Sequence, residues 1–133
     1  MDTVERIEVT EIRVAYRDID MQGQMHNAAY LTLAEQALVH FWRYRPPLED
    51  EPAFTMHRME CVFRKPLRYD DLARLTVRID KIGMSSIGFN VLVEAEGEEH
   101  AMVEIVWTAY DRRSGTEAVL PEAIRDWLYE FLP

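Results

Sequence analysis

Four long β-type segments in a row, preceded by one long helix, constrain this chain more than any other feature. The segments are 53–64, 72–82, 87–96 and 100–111. In the second, Leu75, Val77 and Ile79 alternate with Thr76, Arg78 and Asp80; in the third, Phe89, Val91 and Val93 alternate with Asn90, Leu92 and Glu94. In the fourth, Val103, Ile105, Trp107 and Ala109 alternate with Met102, Glu104, Val106 and Thr108. Successive side chains on a strand point to opposite faces, so each segment has an apolar face to bury. The breaks KPLRYDD, KIGMSS and AEGEEH are turn-like. Such short connections predict that neighbours in sequence pair as an antiparallel meander. An earlier strand is predicted between Arg6 and Tyr16, where Ile7, Val9, Ile12, Val14 and Tyr16 supply apolar and β-branched residues.

The helix lies between. Asn27 is the expected N-cap, and Leu31, Ala34, Leu38, Phe41 and Trp42 then recur at spacings of three and four, giving one apolar face. Pro46 and Pro47 stop it. A helix of about 17 residues is about 25 Å long, enough to lie across a small sheet. A short second helix is expected at the C-terminus, with Pro121 as its first residue and Ile124, Leu128 and Phe131 on one face. One long helix and one antiparallel sheet must bury each other, so the predicted class is α+β, with a curved sheet wrapping the long helix. At 133 residues a single domain over 1–133 is expected, without a linker.

Composition excludes several functions. Lys and Arg number 15 against 24 Asp and Glu, a formal charge of −9, so a nucleic-acid partner would be repelled. No stretch has the roughly 18–20 uncharged apolar residues of a membrane helix. The opening MDTVERIEVTEIRV has no apolar core of the secretory kind. The one cysteine, Cys61, forms no internal disulfide and no thiolate metal cluster, and the expected location is the cytoplasm. His40, His57 and His100 are too scattered for a metal centre, and neither HExxH, Cys-x-x-Cys nor a Gly-rich phosphate loop occurs; neither metal nor cofactor is expected.

The chemistry concentrates in the loop RDIDMQGQMHN, which holds Asp18, Asp20, Gly23, His26 and Asn27 and leads straight into the long helix. Backbone N–H groups at a helix start lack internal partners and, with the helix dipole, can hold negative charge developing on an oxygen. A carboxylate beside them could attack a carbonyl or activate water. That combination suits acyl transfer to water. Asp, Gly and Asn are equally what any strand-to-helix loop uses.

The run from Tyr16 through Asp18, Asp20, Gly23, Gln24, His26, Asn27 and Tyr30 to Leu31, with Glu35 one turn on, resembles the signature of the 4-hydroxybenzoyl-CoA thioesterase-like branch of the hotdog-fold acyl-CoA thioesterases. FRKPLRYDDL and GMSSIGF resemble that family's later strand and turn segments, so the similarity runs over nearly the whole chain. The resemblance implies a hotdog fold and hydrolysis of a small or medium acyl-CoA. It implies a homodimer with sites at the subunit interface, often paired again into a homotetramer. It makes Asp20 the catalytic carboxylate, as nucleophile or as general base on water. It makes the backbone N–H at Asn27 the donor that polarises the thioester carbonyl; one such donor is worth about 3–4 kcal/mol of barrier.

The sequence departs from that pattern twice. Gln24 stands where many relatives have His, although His26 keeps an imidazole nearby. The turn Gly83-Met84-Ser85-Ser86 lacks the basic residues that meet CoA phosphates in relatives, so that contact falls to Arg64, Lys65, Arg68 or Lys81. Substrate-binding candidates are therefore Gly23, His26, Tyr30, Glu35, Lys65 and Lys81. Tyr30 suits either an acyl pocket or the core. Glu35 suits either placement of water and loop or an ion pair or subunit contact. Met56, Met59, Met84 and Met102 suit an adaptable acyl tunnel or ordinary core. Three alternatives stay open: a hotdog protein that binds acyl groups or partners without turnover; an acyl-carrier-protein thioesterase, against which the acidity of both proteins argues; and a hydratase, whose His–Asp or His–Glu arrangement is not found.

Overall fold

A computed structural model describes residues 6–133; the reading of the first five residues falls outside them. The elements in order are β1 (Val9–Arg13), a 3-10 turn (Tyr16–Asp18), α1 (Asn27–Trp42), β2 (Ala53–Phe63), β3 (Leu72–Ile82), β4 (Ser86–Ala95), β5 (Glu98–Tyr110) and α2 (Glu122–Tyr129). All strands join one antiparallel sheet in the order β1-β3-β4-β5-β2. The α+β class, with long helix, sheet and short C-terminal helix, is as expected.

The alternation seen in the sequence decides which face is buried. Ala73, Leu75, Val77 and Ile79 of β3, Ile87, Phe89, Val91 and Val93 of β4, and Ala101, Val103, Ile105 and Ala109 of β5 form one continuous apolar surface. α1 fills its concavity with Ala29, Tyr30, Leu33, Ala34, Ala37, Leu38 and Phe41. The buried helix face is wider than expected: it adds Tyr30, Leu33 and Ala37, while Leu31 and Trp42 are only half-buried. A wrapped helix is covered over a broader arc than one lying on a flat sheet. Burying each large side chain here contributes about 1.5–3 kcal/mol. α2 closes the C-terminal end of α1, where Trp127 stacks on Phe41 at 4.8 Å and Phe131 meets Phe41 edge-on at 5.0 Å.

Four local expectations are corrected. The first strand is shorter, because the N–H groups of Asp18 and Ile19 turn back to the carbonyls of Ala15 and Tyr16. His26, not Asn27, takes the N-cap position of α1, without a side-chain cap bond, and Asn27 is the first helical residue. Pro121 likewise precedes α2 instead of opening it. The meander holds only for β3-β4-β5, since β2 pairs with β5 and not with β3. Residues 64–71 carry the chain from one side of the sheet to the other, three strand spacings or about 14 Å, which eight residues span easily. Leu67 in this crossover is fully buried, and its N–H donates to Tyr30 Oη at 3.0 Å.

Candidate active site

The loop between β1 and α1 is built as a small hairpin. Ile19 bridges to Met25, and the Asp20 N–H donates to the Gln24 carbonyl at 2.7 Å. Asp20 Oδ1 accepts the N–H groups of Gln22 (2.8 Å) and Gln24 (3.1 Å). Gly23 sits at φ +79°, a left-handed backbone that costs a side-chain-bearing residue about 1–2 kcal/mol. Asp20 and Gly23 thus form the turn itself, and Asp20 is exposed there.

The returning arm of the hairpin lies on the crossover. The Met25 N–H donates to the Leu67 carbonyl at 2.8 Å, and Gln24 bridges to Arg68. The His26 N–H then donates to the Asp18 carbonyl at 2.9 Å, and His26 Nε2 lies 3.8 Å from Asp18 Oδ1. Asp18, not Asp20, is therefore the carboxylate beside the imidazole. The chain enters α1 at Asn27, whose N–H has no acceptor among the described residues.

Beside Asn27 opens a cleft of about 200 Å³, lined by Gln24, Met25, Asn27, Tyr30, Phe63, Arg64, Lys65 and Pro66. Tyr30 and Phe63 meet edge-on at 5.1 Å. Burial raises the Tyr30 hydroxyl above its ordinary value, partly offset by the Leu67 N–H. Lys65 is ion-paired with Glu98, and Arg64 Nε lies 3.1 Å from Glu99 Oε2. Lys65 holds the Glu98 carboxyl below the usual carboxylate range. Larger clefts lie elsewhere, two of them of about 660 Å³ each. One is on the outer sheet face around Arg13, Arg74 and Glu94, the other around Glu49, Asp111 and Arg112. Neither contains a residue of the loop motif.

The structure brings Asn27, Tyr30 and Lys65 to one cleft. Gly23, Asp20 and His26 do not line it; they belong to the same loop, whose Gln24 and Met25 do. Glu35 lines a different groove, with Thr10, Thr32, Val39 and His40 between β1 and α1. Lys81 lies near the opposite end of β3, about 30 Å of strand from Leu72. Of the four methionines, Met56 and Met59 share the inner row of β2 with Cys61 and Phe63; Met102 is opposite Leu92 and Val62 on the outer face. Met84 is an exposed turn residue. Phe63, Pro66, Glu98 and Glu99 were not expected at the site. Their signal is the crossover, which the turn-like sequence KPLRYDD hides.

A family model for the thioesterase-like superfamily matches residues 14–128. The chain belongs to that superfamily. A thioesterase from Thermus thermophilus, solved with coenzyme A and zinc, is 30% identical, with 92% of each chain covered and a TM-score of 0.81. A 1,4-dihydroxy-2-naphthoyl-CoA thioesterase from Synechocystis superposes with a TM-score of 0.81 at 13% identity, covering 92% of this chain and 95% of the other. A Staphylococcus aureus protein in complex with CoA gives 0.85 at 14% identity, covering 100% and 90%. A comparison with curated proteins finds no match. Family membership makes this thioesterase-like chain an enzyme of the thioester-hydrolase class, and its sheet and wrapped helix are the hotdog fold. No helix among the described residues is long and apolar enough to cross a membrane.

Proposed function

We propose that the chain hydrolyses acyl-CoA thioesters as a member of the 4-hydroxybenzoyl-CoA thioesterase-like branch, acting as one 1–133 domain. The observation that carries this reading is the free N–H of Asn27 at the tip of a long helix, opening on a cleft with an aromatic wall and two cations. The thioester oxygen sits against that N–H, where the helix dipole stabilises the charge it gains on attack. Asp20 supplies the carboxylate, as nucleophile or as base on water. The CoA carried by two of the structural relatives supports a CoA thioester as the substrate class.

A second copy completes the site. About 200 Å³ is below the roughly 300–1,000 Å³ of small-molecule pockets. β2 is an edge strand of 11 residues whose inner row leaves Met56, Met59 and Phe63 36–47% exposed. A long apolar edge of this kind needs a cover. Pairing with its own copy provides one and adds a wall to the cleft at Phe63. A homodimer, alone or doubled into a homotetramer, is the proposed assembly.

Thiol release from short, long and aryl acyl-CoAs tests the activity, with Asp20→Asn beside the wild type. Equal turnover by both refutes the role of Asp20. Saturable acyl-CoA binding without thiol release favours a binding protein, a reading supported by the absence of any carboxylate from the lining of the cleft in one chain.

A further inference from the structure

Both cations that line the cleft are already occupied. Lys65 is paired with Glu98 and Arg64 with Glu99. The cations are consecutive just after β2 and the carboxylates consecutive at the start of β5, so the pairs form a double clamp between two neighbouring strands. The backbone beneath is fixed. The carbonyl of buried His100 accepts the N–H groups of Arg64 (2.8 Å) and Lys65 (3.1 Å), and His100 Nδ1 lies 3.1 Å from the Lys65 carbonyl, to which it can only donate. Gly97 at φ +76° makes the tight turn from which Glu98 and Glu99 emerge.

A phosphorylated thioester entering the cleft therefore meets cations already neutralised and competes with a carboxylate at each one it uses. A thioester without phosphates needs no exchange. The exchange is feasible because exposed ion pairs contribute little to stability, and phosphate, with its higher charge, competes with carboxylate for the same cations. We infer that Glu98 and Glu99 are specificity-determining residues: they compete with the phosphates of a nucleotide-bearing thioester for Lys65 and Arg64, and shift selection toward phosphate-free carriers. This inference rests on the cleft being the thioester site.

The test uses Glu98→Gln/Glu99→Gln, with Glu96→Gln as control. Glu96 lies in the same hairpin and makes no ion pair among the described residues. CoA binding is measured by calorimetry at low salt, and hydrolysis is followed for one acyl group carried on CoA and on N-acetylcysteamine. In the double variant the CoA Kd and the acyl-CoA KM fall about three- to tenfold, as expected for removing a screened competing charge pair. The kcat and the N-acetylcysteamine KM stay unchanged, and the gain fades in high salt. An unchanged or weaker CoA Kd overturns the inference, as does an equal gain from Glu96→Gln, a parallel fall in KM for both carriers, or no CoA binding by any form. If the wild type hydrolyses neither substrate, the thioesterase reading fails, while the CoA titration still decides the competition.

Discussion

Tyr30→Phe isolates the bond that holds the crossover onto the helix. The substitution keeps the ring, its burial and its edge-on contact with Phe63, and removes only the hydroxyl that accepts the Leu67 N–H at 3.0 Å. Leu67 is fully buried, so its N–H is left without water as a substitute. An orphaned buried donor costs about 1–3 kcal/mol. With an unfolding entropy of about 2.1 cal/mol/K per residue, 133 residues give about 280 cal/mol/K, so each kcal/mol lowers Tm by about 3.6 °C. The expected loss is about 4–11 °C. Urea unfolding should show a lower midpoint with an unchanged slope, since the surface exposed on unfolding is the same. The crossover also carries the Leu67 carbonyl that anchors Met25 and the Pro66 that lines the cleft. Its loosening should therefore raise KM more than it lowers kcat. A Tm within about 1 °C of wild type would show that the bond contributes nothing net and that packing alone fixes the crossover.

Three further outcomes are expected. Asp20→Asn keeps Oδ1 as acceptor for the Gln22 and Gln24 N–H groups, so Tm holds while thiol release falls about 10²–10⁴-fold; a matching loss of Tm would make the residue structural. Met59→Asp places a charge on the exposed inner row of β2 and should give a monomer by light scattering with reduced turnover; an intact dimer refutes pairing along this edge. Burial raises Tyr30 above its ordinary 10.0, so its contribution to stability is full below about pH 10 and is lost as pH rises through the native value; urea titrations across that range should show a smaller fall for Tyr30→Phe.

The sheet and the helix were legible because the β3, β4 and β5 alternation and the three-four spacing on α1 each specify a buried face directly. The partner of β2 was not. A seven-residue polar break reads the same whether it closes a hairpin or spans three strands, and only the buried Leu67 within it marks the difference. The motif loop was legible as a site because its residue types are what the chemistry needs. Its geometry was not, since an aspartate that accepts N–H groups two and four residues on and an aspartate aimed at a substrate have the same local sequence. Glu35 shows the limit of helical spacing: two turns beyond Asn27, it belongs to another groove.

Lys65 and Lys81 are both substrate-binding candidates from the sequence, yet within a chain they sit at opposite ends of the sheet. The proposed pairing of β2 with its copy removes the conflict. Two strands related by a two-fold axis in one sheet run antiparallel, so the partner's Ala53 end lies against the Phe63 end that borders the cleft. In register, Thr55 faces Thr108 and Thr108 faces Ser86, which places the Gly83–Ser86 turn two strand spacings, about 10 Å, inside that same end. The turn and Lys81 would then approach the cleft only from the second subunit, while Gln24, Asn27 and Lys65 come from the first. The departures at Gln24 and at the Gly83 turn are, on this geometry, changes on the two sides of one interface.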